Sequence, residues 1–178
     1  MKAQLLTTAT FLTVFSSVLP AADPTLLNLV GPDAKLLAGV NVEQAKGTLF
    51  GQYLLNQMES GNKDMQQLIA LTGFDPTRDV REVLVASSGA AETGLALARG
   101  NFDAAKIAAL ASVKGAVSEA YGGVTILEDP KQTHGVVFLD SSTAIAGDVA
   151  SVKGAIDRQK NPQPLSSSVA VKPSTRVT

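Results

Sequence analysis

The sequence predicts an α+β fold: a mainly antiparallel sheet of about five or six strands, with three or four helices packed mostly on one face. Three stretches carry this reading. Residues 81–88 (REVLVASS) and 93–100 (TGLALARG) are short apolar-rich runs joined by a tight connection at 89–92, the pattern of an antiparallel hairpin. The second run stops at Gly100-Asn101 and opens a helix at Asp103, whose carboxylate can accept a backbone N–H of the first turn. Phe102 before that cap and Ile107 within the helix have the spacing of a hydrophobic staple. Finally, residues 135–139 (GVVFL) and 142–146 (STAIA) are two more short strands. They precede Asp148, which caps a helix whose apolar stripe of Val149, Val152 and Ile156 opposes Lys153, Asp157 and Arg158.

The remaining elements follow in chain order. Residues 1–22 read as an export signal: Lys2 supplies the positive start, 5–19 are apolar with interspersed Thr and Ser, and Pro20-Ala21-Ala22 offers small residues for cleavage after Ala21 or Ala22. A membrane-spanning helix needs about 20 apolar residues; this run is shorter, so membrane contact is expected only through the signal segment if it stays uncleaved. Residues 23–33 form a Pro-punctuated lead-in, and a single α+β domain is expected over 34–160. Residues 35–42 (KLLAGVNV) read as a strand. Val42, Ala45, Leu49, Tyr53 and Met58, widened by Phe50 and Leu54, recur at helical spacing until Gly61-Asn62. A shorter helix over 64–72 ends at Gly73, suited to the left-handed terminator, and Asp75-Pro76 is a cap followed by a first helical position. Residues 117–127 contain one strand, most secure at 123–127 (GVTIL). Residues 161–178, with Pro162, Pro164 and Pro173, read as a flexible or truncated tail, although Val169-Ala170-Val171 has strand character.

Composition narrows the function. A chain of 178 residues that is 45% hydrophobic and 17% charged can bury a core. Aromatics make up only 4%, with no Trp, which argues against base-stacking and sugar-binding surfaces. The net charge of -1 leaves no electrostatic footprint for nucleic acid. The five basic residues from Lys153 onward complement a helix end and a solvated tail. The absence of Cys excludes disulfides, thiol catalysis and lipid attachment at cysteine.

Several local patterns occur together: Pro32-Asp33-Ala34-Lys35 entering a strand, Thr72-Gly73-Phe74-Asp75-Pro76, Asp79-Val80 before a strand, Tyr121-Gly122-Gly123-Val124, and Ala146-Gly147-Asp148 before the last helix. In these the chain resembles a loose group of uncharacterised exported bacterial proteins built from a domain of unknown function. The resemblance spans most of residues 33–158. It implies an α+β fold and an export route, with no established activity.

No residue acquires a catalytic, cofactor-binding or metal-binding role, and no cofactor is expected. His134, the single histidine, lies in a turn near Asp129, but a general base also needs an orienting partner and a nucleophile. Asp75, Asp79 and Glu82, with Arg78 and Arg81, lack the spacing of a calcium loop and read as caps and local ion pairs. Ser87-Ser88-Gly89 ends a strand without the flanks of a nucleophile elbow. Gly122-Gly123 and Gly147 match no phosphate-binding motif. The sheet faces say more. Leu95 and Leu97, with Val83 and Val85, are expected on the helix-packed face. Ala96 and Ala98, with Leu84 and Ala86, would make an apolar second face, where a water-facing sheet alternates to polar. The expectation is therefore an exported periplasmic or extracellular protein with a non-catalytic binding or structural role, self-associating or meeting a protein partner through that face. The alternatives are a hydrolase using Ser87 or His134, and a carrier of a small apolar ligand.

Overall fold

A computed structural model describes residues 23–49, 52–53, 63–90, 93–162 and 170–172. The expected export segment, Phe50, Leu54, Met58 and Gly61-Asn62 of the expected long helix, and Val169 lie outside the described residues. The elements run α1 (Pro24–Leu27), β1 (Leu36–Asn41), α2 (Val42–Lys46), α3 (Lys63–Thr72), α4 (Pro76–Asp79), β2 (Val80–Ser87), β3 (Leu95–Gly100), α5 (Ala104–Val113), β4 (Val117–Tyr121), β5 (Val124–Glu128), β6 (His134–Asp140), β7 (Thr143–Asp148), α6 (Val149–Lys160) and β8 (Ala170–Lys172).

The class is α+β. One sheet holds the strands in the order β4-β5-β6-β7-β3-β2-β1-β8. Seven strands pair antiparallel, and β8 adds in parallel to β1 at the edge. The count exceeds the expected five or six for two reasons. The stretch expected to hold one strand is a hairpin: Gly122 and Gly123, at φ +59° and +85°, turn the chain so that Tyr121 pairs with Val124. A two-residue turn with positive φ at both positions matches the twist of its strands and favours glycine. The second addition is β8, which the expectation of a flexible tail had set against a strand.

The hairpin of β2 and β3 forms as expected, but its register corrects the assignment of faces. Leu84 pairs with Leu97 and Ala86 with Leu95, whereas Val83 pairs with Ala98 and Val85 with Ala96. Leu84 and Ala86 therefore share the helix-packed face with Leu95 and Leu97, and Val83 and Val85 lie on the other. Side chains alternate with period two, so an offset of one residue exchanges the faces of a whole strand.

The main core lies on the first face. Leu37, Leu84, Leu95, Leu97, Ile126, Val137 and Ile145 meet Val152, Ala155 and Ile156 of α6. The lead-in belongs to this core as well: Asp23 caps α1, Pro24 takes its first turn, and Leu26, Leu29 and Val30 are all buried. At Gly147, paired with Leu95, a Cβ would collide with the Gly94 carbonyl, so only glycine permits this approach of strands β3 and β7.

Six helices are defined among the described residues, where three or four mostly on one face were expected; α1 and α6 supply residues to the main core, and α2 supplies Val42 on the other side of the sheet. A second cluster of Val42, Val80 and Phe102 packs with Phe74, Val83, Ala98, Phe138 and Ala144 on the opposite face. The ring centroids of Phe74 and Phe138 lie 5.9 and 5.7 Å from that of Phe102. Of the expected long helix after Val42, α2 ends at Lys46 with Gly47 as its C-cap, and residues 49, 52 and 53 are helical again. Of its apolar stripe Val42 is buried, but Leu49 is 88% exposed and Tyr53 59% exposed. Periodicity establishes that a stripe exists; burial needs an opposing surface. Helix α5 follows its cap as expected, yet none of its ten residues is fully buried.

Candidate functional site

The second sheet face offers a candidate surface. One cross-strand row runs Ala38, Val85, Ala96, Ala146, Val136 and Leu127 over six neighbouring strands. The adjacent row runs Val40, Val83, Ala98, Ala144 and Phe138. Neither row contains a polar side chain. The aromatic cluster covers part of the second row, while the β1–β2 end stays open: Val40 and Val85 are each 44% exposed and Leu36 is 41% exposed. Exposed apolar side chains thus adjoin one another here, with Ser87 paired to Leu36 and Lys172 paired to Ala38 at the border, and an exposed apolar patch rimmed by polar residues marks an interaction site.

The residues singled out in the sequence are not brought into catalytic register. His134 is exposed at the start of β6. Its Nδ1 lies 3.1 Å from the Thr133 hydroxyl, and its backbone N–H donates to Asp129 Oδ1 at 3.0 Å. Donors from Thr133 and His134 hold the Asp129 carboxyl below the usual carboxylate range, so it serves the turn. The Ser87 hydroxyl donates to the Thr93 carbonyl at 3.1 Å and accepts from Gly89 N–H, closing the β2–β3 connection. Ser87 lines a groove of about 310 Å³ with Asp33, Asp148, Ser151 and Arg158, and His134 is not among its lining residues. Asp148 is occupied there: Ser151 N–H donates to Oδ1 at 2.9 Å and Gly94 N–H to Oδ2 at 3.1 Å. Burial pushes the Asp148 carboxyl up, but these donors outweigh it and hold the group below the usual range. Arg158 donates to the Leu29 carbonyl at 2.9 Å.

The acidic cluster resolves into caps and ion pairs. Asp75 accepts from Thr77 N–H at 2.9 Å, Arg78 bonds both oxygens of Asp79, and Glu82 accepts from Asp23 N–H at 3.0 Å. Among the described residues no group of three or more His, Cys, Asp or Glu is placed to hold a metal ion.

One polar site escaped the sequence reading. Along β4, β5 and the start of α6 runs an open groove of about 470 Å³ lined by Val117, Ser118, Glu119, Glu128, Gln132, Val149 and Lys153. Lys153 Nζ lies 2.8 Å from each Glu119 oxygen and 5.3 Å from the centre of the Tyr121 ring. Glu128 is buried, and its Oε1 meets no donor. Contact with Glu119, burial and the Glu119 charge push the Glu128 carboxyl above its ordinary value, against the pull of Lys153. The Lys153 bond holds the Glu119 carboxyl low. A signal was present in the sequence: Glu128 stands two residues after Ile126, in phase with the buried face of its strand, where a charge is out of place.

No family model matches the chain, and no curated protein matches it. The fold has solved counterparts. Structures of TP0453, a treponemal protein, match in crystal forms III and IV with a TM-score of 0.57. Identity is 14% and 13%, covering 84% and 85% of this chain and 54% and 55% of TP0453. Crystal form I matches with a TM-score of 0.53 at 14% identity, covering 88% of this chain and 55% of that one. The chain thus spans about half the length of the solved structures it matches, and the likeness is one of fold.

Proposed function

We propose that this is an exported protein, periplasmic or extracellular, with a non-catalytic binding role exercised through the second sheet face. The observation that carries the reading is the pair of adjoining apolar rows, open to water at Val40 and Val85 and flanked by the exposed Leu36. An exposed sheet face ordinarily alternates to polar residues, because apolar area left in water costs free energy at roughly 25 cal/mol per Å². Retaining valines there is consistent with a surface that is covered in use, by a second copy or by a protein partner. The lysine, apolar run and small residues of 1–22, together with the resemblance to exported bacterial proteins, support the location.

The test combines gel filtration with light scattering and binding of an apolar dye. Wild-type protein is expected to self-associate or to bind the dye, and Val85→Lys to suppress both. A wild-type monomer that ignores the dye overturns the reading.

A further inference from the structure

We infer that the groove between β4, β5 and the first two turns of α6 binds a small organic ammonium ion, whose N–H donors are received by Glu128 beside Glu119. This site is separate from the second sheet face and does not depend on its role. The argument begins with a charge count. Glu119 faces the groove from β4, Glu128 from β5 and Lys153 from α6, with Asp129 just beyond β5. One ammonium group thus serves several carboxylates, and Lys153 is committed by bonds of 2.8 Å to both oxygens of Glu119. Glu128 is left with a buried oxygen that no donor reaches.

A buried carboxyl without a donor is costly, and neighbouring strands give no relief. The positions beside Glu128 in its cross-strand row are Val117, Gly135 and then Gly147, none with a donor side chain. Between Glu128 and Glu119, two acceptors share a contact only when one holds a proton, which fits the upward push on Glu128. An incoming ammonium ion would replace that proton. The Glu128 O–H bond breaks, the proton leaves to solvent, and the carboxylate pairs with the bound cation. The groove suits a ligand with a short methylene chain, because Val117 and Val149 line it as apolar walls while Gln132 offers a further oxygen. Its volume of about 470 Å³ is that of a small-molecule site. A metal ion fits less well, since Lys153 places a positive charge among the same carboxylates.

The probe is 1,4-diaminobutane added to the full chain, followed by amide NMR shifts and by calorimetry in two buffers of different ionisation enthalpy. The expected result is saturable binding with shifts confined to residues 117–119, 128 and 149–153, and with net proton release. Affinity should rise as pH increases from the acid side, because Glu128 must lose its proton. Glu128→Gln, which keeps the shape, should weaken binding about tenfold or more, the scale of a lost charge-assisted hydrogen bond. Three results overturn the proposal: no saturable shift at these residues in the wild type, equal binding of the uncharged 1,4-butanediol, or unchanged affinity in Glu128→Gln. The wild-type shifts and pH series decide the matter even where the variant does not fold.

Discussion

Single residues carry the site chemistry here, and Glu128 shows how. Its carboxyl is buried on the core face and held above its ordinary value of 4.5 by Glu119, by burial and by neighbouring negative charge. The folded protein therefore binds this proton more tightly than the unfolded chain does. The resulting stability is fully present below the unfolded value and is lost as pH rises through the folded one. Glu128→Gln imitates the protonated acid and should flatten that dependence. Its melting temperature is expected to match the wild type near pH 4 and to exceed it at pH 8; equal melting temperatures at both would refute the assignment. Asp148 has the opposite sign. With its carboxyl held low by Ser151 and Gly94, its contribution is present above the ordinary carboxylate range and is lost as pH falls. At this scale Asp75, Asp103 and Asp148 were legible, because a cap is read from neighbours three residues away. Glu128 was legible only as a charge in phase with a buried face, because the groups around it come from β4, β6 and α6.

At the scale of elements, helix ends obey local chemistry while helix burial does not. Both α5 and α6 begin with an aspartate accepting a backbone N–H, at 3.1 Å from Lys106 and 2.9 Å from Ser151. Their surroundings differ. Helix α6 buries Val152, Ala155 and Ile156, and Asp148 also receives Gly94 N–H from the strand connection. Helix α5 buries no residue fully. Asp148→Ala should therefore cost about 1–2 kcal/mol in urea unfolding, the upper part of the range for a cap, and Asp103→Ala should cause a smaller loss. An equal loss for the two would mean that α5 is as deeply coupled to the core as α6. The same distinction explains the misread elements. Gly122-Gly123, which matches no phosphate motif, turns a hairpin, and of the lead-in's three core residues only Leu26 sits on α1, a helix of four residues too short to show a period, while Leu29 and Val30 follow it.

For the molecule as a whole, pairing register decides which residues hold it together. Leu97 is fully buried at the middle of the sheet, between Leu84 on β2 and Ile145 on β7. Leu97→Ala should lower stability by about 2–5 kcal/mol, through lost transfer energy and the cavity left behind. Val85, on the next rung and the open face, should tolerate Lys with a change within about 0.5 kcal/mol, as surface positions do. Urea denaturation of both variants checks the contrast, and a severe loss in Val85→Lys would mean that the second face is covered within this chain.

What the amino-acid order determined alone was the fold class, the β2–β3 hairpin, the capping aspartates and the glycine stops, all set by contacts within a few residues along the chain. What the tertiary structure decided was the strand register, hence which apolar set faces the helices, and the meeting of Glu119, Glu128 and Lys153 from three separate elements. The reason is physical: a period of two says which residues of one strand share a face, but only pairing with a neighbour says which face that is.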